Sequence, residues 1–297
     1  MKKTLSLILA LVMVMAVFAA CTPANSGELS DQSGNLGTAA PVAQSTDGAA
    51  MTTADPEAGS GDLAYVKDNG KLVIGYTVYE PMNYTDEAGN FTGFDTEFAQ
   101  KVCEKLGVEP EFVEIVWDMK VVELNSKAID CIWNGMTIND DLKAQIAISD
   151  PYVKNMQVIV INKKNAATYV DTLSLADKDI VVEAGSAGES VVAEDENLKN
   201  ANAIQVTKQI DALLEVKAGT ADAAVLDWTL AKSMIGEGTD YEDLMIVEGV
   251  ELSVEEYGIG FRAGSDLCTE VNTIMAELIA DGTLPALAEK YGLSLAE

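Results

Sequence analysis

The stretch IDCIWNGMTINDDLKAQIAISDPY, residues 129–152, decides how the rest of the chain is read. Ala128 to Ile132 is a short, mainly apolar run bounded by polar residues, which reads as a buried strand. Asn134, Gly135 and Thr137 then read as a small polar turn. Asn139-Asp140-Asp141 reads as an acidic helix start, and Asp150-Pro151-Tyr152 as the exit. Polar groups that directly follow a buried strand sit where open α/β sheets bind ligands, and Gly135 permits close approach of the backbone. By strand alternation Trp133 points opposite to Asn134, which leaves core and pocket floor both open for it.

Upstream, Lys71 to Gly75 is a second short apolar strand. A turn follows at Asp86 to Asn90, and Gly93-Phe-Asp-Thr-Glu-Phe98 opens a helix with Asp95 expected at its N-cap. Phe98, Val102 and Leu106 recur every four residues and Gly107 stops the run. Glu111 to Val116 is a strand and Met119 to Ser126 a helix.

Downstream, Gln157 to Asn162 is a strand, after which a second series begins. Ile180 to Glu183 is a strand, Ala184 to Ser190 a turn into a helix, Gln209 to Ala218 a helix, and Ala221 to Leu226 a strand ending at Asp227. Tyr257 to Arg262 is a strand; Leu267 to Asp281 and Leu284 to Tyr291 are helices. Repeated strand–helix–strand order predicts an α/β chain with a mostly parallel sheet flanked by helices. Two such series predict two lobes, with crossings near 154–160 and 248–256 acting as a hinge. The expected division is 63–155 with 254–297 for lobe I and 156–253 for lobe II. A cleft between lobes is where a ligand is expected.

The first twenty residues carry a separate instruction. Lys2 and Lys3 precede an apolar run, Leu5 to Phe18, of about 14 residues, too short to span a bilayer comfortably. Ala19-Ala20-Cys21 has the small residues and cysteine of a bacterial lipoprotein cleavage site, although Phe18 stands where leucine is usual. The expectation is a signal peptide at 1–20 with lipid on Cys21, against ordinary cleavage or an uncleaved anchor. Thr22 to Val66 has no Lys or Arg and no aromatic before Tyr65. Its composition predicts a disordered tether, assigned to 21–62, with a reach of about 35 Å.

Composition removes several functions. The formal net charge of −29 and pI near 4.1 disfavour nucleic acid, which needs basic clusters. The chain has no histidine, so Ser-His-Asp catalysis, Cys-His catalysis and His-ligated zinc are excluded on it. Beyond Cys21 there are three cysteines, Cys103, Cys131 and Cys268, with no CxxC. Cys103 and Cys131 fall in helix and strand patterns and read as core thiols. No cofactor and no metal is expected.

From Gly70 to Gly292 the chain resembles the bacterial extracellular solute-binding proteins of the polar amino-acid ABC transporter family, the family 3 type, in lipoprotein form. The resemblance rests on Gly70 to Gly75, Gly93 to Phe98, residues 129–152, Ala221 to Asp227 and Asp281-Gly-Thr-Leu, in that order. It implies a two-lobed periplasmic-binding-protein-like (venus flytrap) fold, amino-acid capture in the cleft, and docking onto an ABC permease. It also implies an extracytoplasmic, lipid-anchored protein that is a monomer and not an enzyme.

The same resemblance assigns roles. Asp227 matches the aspartate that pairs with the ligand ammonium, a role compatible with capping the helix from Trp228. Gly185, Ser186 and Ala187, at a helix N-terminus where N–H groups favour anions, match part of the carboxylate site. Asn134, Gly135, Met136 and Thr137 match polar and backbone contacts; Trp117 and Tyr79 match apolar walls. Leu142 departs from the pattern: an arginine usual there would fork onto a carboxylate, and leucine cannot. Lys143 or Lys120 is a possible substitute, or the ligand lacks an α-carboxylate. Glu80, if it faces the cleft, favours a cationic ligand group; otherwise it is a solvated turn residue. Two other functions fit the same fold: a ligand-binding sensor module, and a cyclic-acid dehydratase using carboxylates such as Glu80 and Asp227 as acid and base.

Overall fold

The computed structural model describes residues 61–250 and 252–296, and every structural statement concerns these. The leader, Cys21 and the tether up to residue 60 lie outside the described residues. In chain order the elements are α1 (Asp62–Asn69), β1 (Lys71–Tyr76), β2 (Tyr84–Thr85), β3 (Phe91–Thr92), α2 (Phe94–Leu106), β4 (Glu109–Glu114), α3 (Lys120–Asn125), β5 (Cys131–Thr137), α4 (Asp140–Lys143) and β6 (Ala147–Ile148). Then come β7 (Val153–Asn162), β8 (Asp179–Glu183), α5 (Ala187–Glu194), β9 (Asn202–Val206), α6 (Gln209–Ala218), β10 (Ala223–Asp227), α7 (Trp228–Met234) and β11 (Leu244–Ile246). β12 (Ser253–Phe261), α8 (Asp266–Ala280) and α9 (Thr283–Tyr291) complete the order.

The main sheet runs β4-β1-β5-β12-β7-β10-β8-β9, with β6 beside β12 and β11 beside β7. At one end β1 lies parallel to β4 and β5; at the other β8 lies parallel to β9 and β10. β12 and β7 run antiparallel between the two sets, with Ser253 opposite Gln157 and Tyr257 opposite Val153. Two lobes thus hang on one pair of long strands. This is the two-lobed venus-flytrap architecture.

Each lobe is built as its sequence periods dictate. β10 is apolar from Ala223 to Leu226 and buried at every position, Asp227 included, because α5, α6 and α7 pack against it. α2 buries Phe94, Phe98, Val102 and Leu106 on one side, each large apolar side chain contributing about 1.5–3 kcal/mol. Phe98 packs edge-on against Trp133, ring centroids 4.9 Å apart, so Trp133 belongs to the core. Gly107 closes the helix at φ 75° by donating its N–H to Cys103 O. Cys103 and Cys131 are buried free thiols and Cys268 is half-buried.

The structure corrects four details. Asn134 to Thr137 are not a turn but the second half of β5, because β12 carries on the ladder through Met136–Gly258 and Thr137–Tyr257. The register of that ladder shifts between Gly258 and Gly260, beside Gly135 at φ 57°. Asp95 is not the N-cap of α2, a position held by Gly93. Its carboxylate instead reaches across to β5, accepting the Gly135 N–H at 2.7 Å and the Tyr152 hydroxyl at 3.0 Å. The tether composition overran into α1, whose Val66 is buried and whose Asp62 binds Arg262 at 2.8 Å. Finally, the strand expected at 111–116 sits two residues earlier as β4, and Trp117–Met119 forms a 3-10 turn before α3.

Candidate functional site

The sequence-chosen residues converge on one cavity between the lobes. Trp117 and the run Asn134-Gly135-Met136-Thr137 face it from one side. Gly185, Ser186, Ala187 and Asp227 face it from the other. Its volume is about 30 Å³, little more than the roughly 10–15 Å³ a single water needs, so the lobes are drawn shut. Closure is held by specific links. Lys120 Nζ donates to Gly185 O at 2.8 Å, Ser233 Oγ to Glu80 Oε1 at 3.0 Å, and Lys208 pairs with Glu114 at 2.5 Å. Gly185, at φ 71°, passes so near Asp118 that a Cβ there would lie 2.7 Å from its Oδ1.

Tyr79 and Glu80 lie off this cavity. Tyr79 is buried behind Gly135, its hydroxyl 2.5 Å from that of Tyr257. A Cβ on Gly135 would approach the Tyr79 ring to 2.8 Å, so Tyr79 shapes the wall through the glycine. Glu80 serves lobe closure through Ser233 and lines a separate depression with Tyr76, Tyr84 and Phe91. Lys143 turns to solvent beside Asp140. Leu142 does line the cavity, and so does Lys120.

Asp227 ends β10 and stands at the N-cap position of α7 without capping it. Asn155 does that instead: its Oδ1 accepts from Thr229 N at 3.2 Å and Thr229 Oγ1 at 2.8 Å. Asp227 Oδ1 accepts from Asn155 Nδ2 and Gln157 Nε2, both at 2.6 Å, and Oδ2 accepts from Gln209 Nε2. The same two amides reach Glu255 Oε1, at 2.6 and 2.9 Å, where Thr137 Oγ1 also donates at 2.9 Å. Asp227 and Glu255 are therefore pulled together by shared donors and titrate as a pair. Burial raises the Asp227 carboxyl above its usual range. Burial, then the Asp227 charge, pushes Glu255 up to about 8.

A third carboxylate went unnoticed in the sequence. Glu183 ends β8 as Asp227 ends β10, and both line the cavity. It is 3% exposed and its Oε1 has no hydrogen-bond partner. Burial and then Asp227 push it up to about 8, against the opposing effect of Lys120. The signal was legible: an acidic residue closing an apolar strand, the same cue that picked out Asp227. Glu255, Asn155 and Gln157 carried no such cue, because only the register of the paired hinge strands brings them under Asp227. Lys120 is the cation on this lining among the described residues; it sits over the Trp117 ring at 4.8 Å and also donates to Trp117 O at 3.3 Å.

The sequence pattern of bacterial extracellular solute-binding proteins, family 3, matches residues 72–294, the whole two-lobed body. The chain belongs to this family. As a family 3 solute-binding protein it is extracytoplasmic, and no described helix is long and apolar enough to cross a membrane. It is 31% identical over 236 residues to the L-cystine-binding protein TcyJ of Escherichia coli (strain K12), covering 79% of this chain and 87% of that protein. An ABC uptake transporter substrate binding protein from Streptococcus pneumoniae, solved with bound histidine, is similar at 27% identity and a TM-score of 0.70 over 78% of this chain and 96% of that one. The ancestral amino acid-binding protein AncCDT-1, a precursor of cyclohexadienyl dehydratase, is similar at 30% identity and a TM-score of 0.70 over 77% and 98%.

Proposed function

We propose that this chain is the solute-binding component of an ABC importer, capturing an amino acid or amino-acid-like solute by its protonated amine and delivering it to a membrane permease. The observation that carries the reading is the pair Glu183 and Asp227 facing one closed cavity between hinged lobes. Two buried carboxylates against one lysine leave the site short of positive charge, and a buried unpaired charge costs several kcal/mol. A ligand ammonium supplies what is missing and gives lobe closure its driving force. The likeness to TcyJ and to the histidine-bound importer protein supports solute capture.

In this reading lobe I comprises 63–155 with 254–297, and lobe II comprises 156–253. The signal peptide at 1–20 is removed, lipid on Cys21 anchors the protein, and the tether ends where α1 begins. The protein acts as a monomer and not as an enzyme. Glu80, one of the two carboxylates a dehydratase reading would employ, is turned to Ser233 and away from the cavity.

Titration calorimetry of the purified protein against the twenty amino acids and their decarboxylated amines tests the proposal. Saturable binding of at least one is expected. A folded protein that binds none overturns it.

A further inference from the structure

We propose that the ligand is an organic cation without a carboxylate, an amine or a guanidine, held by Glu183 and Asp227. The inference rests on the solute-binding reading above and narrows its ligand class.

A zwitterionic amino acid brings one positive and one negative charge, and both must be matched when the cleft shuts. The lining can meet the first. Asp227 and Glu183 face the cavity, and Glu183 Oε1, nine-tenths and more buried, has no partner. Glu255 adds a third carboxylate behind Thr137 and Asp227.

Most of the strong donors around the cavity are already committed to the protein itself. Lys120 directs its ammonium to Gly185 O and Trp117 O, with Glu183 nearby. The Gly185 N–H, at the start of α5, donates to the chain's own Glu189 carboxylate at 2.7 Å. The Gly135 N–H donates to Asp95 at 2.7 Å. The Asn134 amide gives both its protons to Thr77 O and Asn83 Oδ1, each at 2.8 Å. The Gln209 amide donates to Asp227. Leu142 offers only methyl groups to the same cavity.

An incoming carboxylate would therefore lie among like charges with few donors to meet it, and like-charge burial is disfavoured. A bare cation meets the opposite situation. Burial has raised the Glu183, Asp227 and Glu255 carboxyls, with the Asp227 charge adding to the rise of the two glutamates, and a fixed positive charge beside them favours their ionised forms. Trp117, on the lining, supplies an aromatic surface suited to the apolar part of such a molecule.

The test uses pairs that differ only in the α-carboxylate: arginine with agmatine, and lysine with cadaverine. Each is titrated into the purified protein, freed of co-purified solute, at pH 8. The amine of at least one pair is expected to bind about tenfold or more tightly than its amino acid. Equal or tighter binding of both amino acids overturns the inference while leaving the importer proposal standing. Failure of both pairs, of other amines and of all amino acids overturns the two together. Glu183→Gln, checked for folding by its thermal transition, is expected to weaken the amine about tenfold or more. Unchanged amine affinity in that variant overturns the assignment. Leu142→Arg is expected to shift preference toward the amino acid of the pair about tenfold, and a shift toward the amine counts against it.

Discussion

Two buried charge clusters in this protein share their chemistry and differ in their balance. In the first, Arg262 is 1% exposed and commits four of its five guanidinium N–H groups. It donates to Asp62 at 2.8 Å, to Asp130 at 3.2 Å, and to the carbonyls of Ile129 at 2.8 Å and Leu124 at 3.2 Å. The two aspartates accept further bonds from Ser265 Oγ and Val73 N, each at 3.0 Å. In the second, Glu183 and Asp227 line a cavity with one lysine, Glu255 lies behind them on shared amides, and Glu183 Oε1 and Gln157 Oε1 have no partner. The first cluster ties α1 to the start of β5 and the end of β12, and none of its buried side-chain polar atoms lacks a partner. The second is incomplete by itself, and it faces a cavity. Satisfaction, more than burial or charge, separates a structural staple from a receptor.

The comparison breaks most violently at Arg262. Arg262→Met leaves Asp62 and Asp130 buried without their partner, and should cost about 3–5 kcal/mol in urea unfolding; a loss under about 1 kcal/mol would mean that the cluster is no staple. At Asp227 the expectation inverts. Asp227→Asn should weaken amine binding about 100-fold by calorimetry, near 2.7 kcal/mol, while costing less in unfolding than Arg262→Met. Equal stability losses at the two sites would erase the distinction between them. The smallest effect is assigned to Lys143, exposed beside Asp140 at 3.6 Å. Lys143→Ala should change stability by less than about 0.5 kcal/mol and leave affinity unaltered, and a large loss of affinity would return Lys143 to the candidates for the site.

Most of the architecture was legible from periodicity. Apolar runs such as 223–226 and the four-residue spacing of Phe98, Val102 and Leu106 depend on local burial, which sequence reports directly. What failed depended on partners distant in sequence. Asn134 to Thr137 look like a turn until β12 is known to pair with them. Asp95 looks like a cap until Gly135 and Tyr152 are found beside it. At the site, residues closing strands were recoverable, Asp227 among them, and Glu183 by the same cue. Glu255, Asn155 and Gln157 owe their roles to the Ser253–Gln157 register of the hinge, which no local pattern reports. The missing arginine at Leu142 was legible as an absence. Its meaning came only with the two carboxylates that line the cavity, Glu183 and Asp227, and the third, Glu255, behind them.

The central claim is that these carboxylates are uncompensated until a cation arrives, and Glu183 tests it without any ligand. A carboxyl raised from 4.5 to about 8 on folding stabilises the native state fully below the unfolded value. That contribution is lost as pH rises through the folded value. Unfolding free energies of the parent and Glu183→Gln, measured from pH 4 to pH 9 without ligand, should differ by a constant amount below about pH 4.5. Between there and pH 8 the variant should gain on the parent, by up to about 1.4 kcal/mol per pH unit, before the curves run parallel again. Profiles that stay parallel throughout, or a parent that gains on the variant with rising pH, would contradict the account.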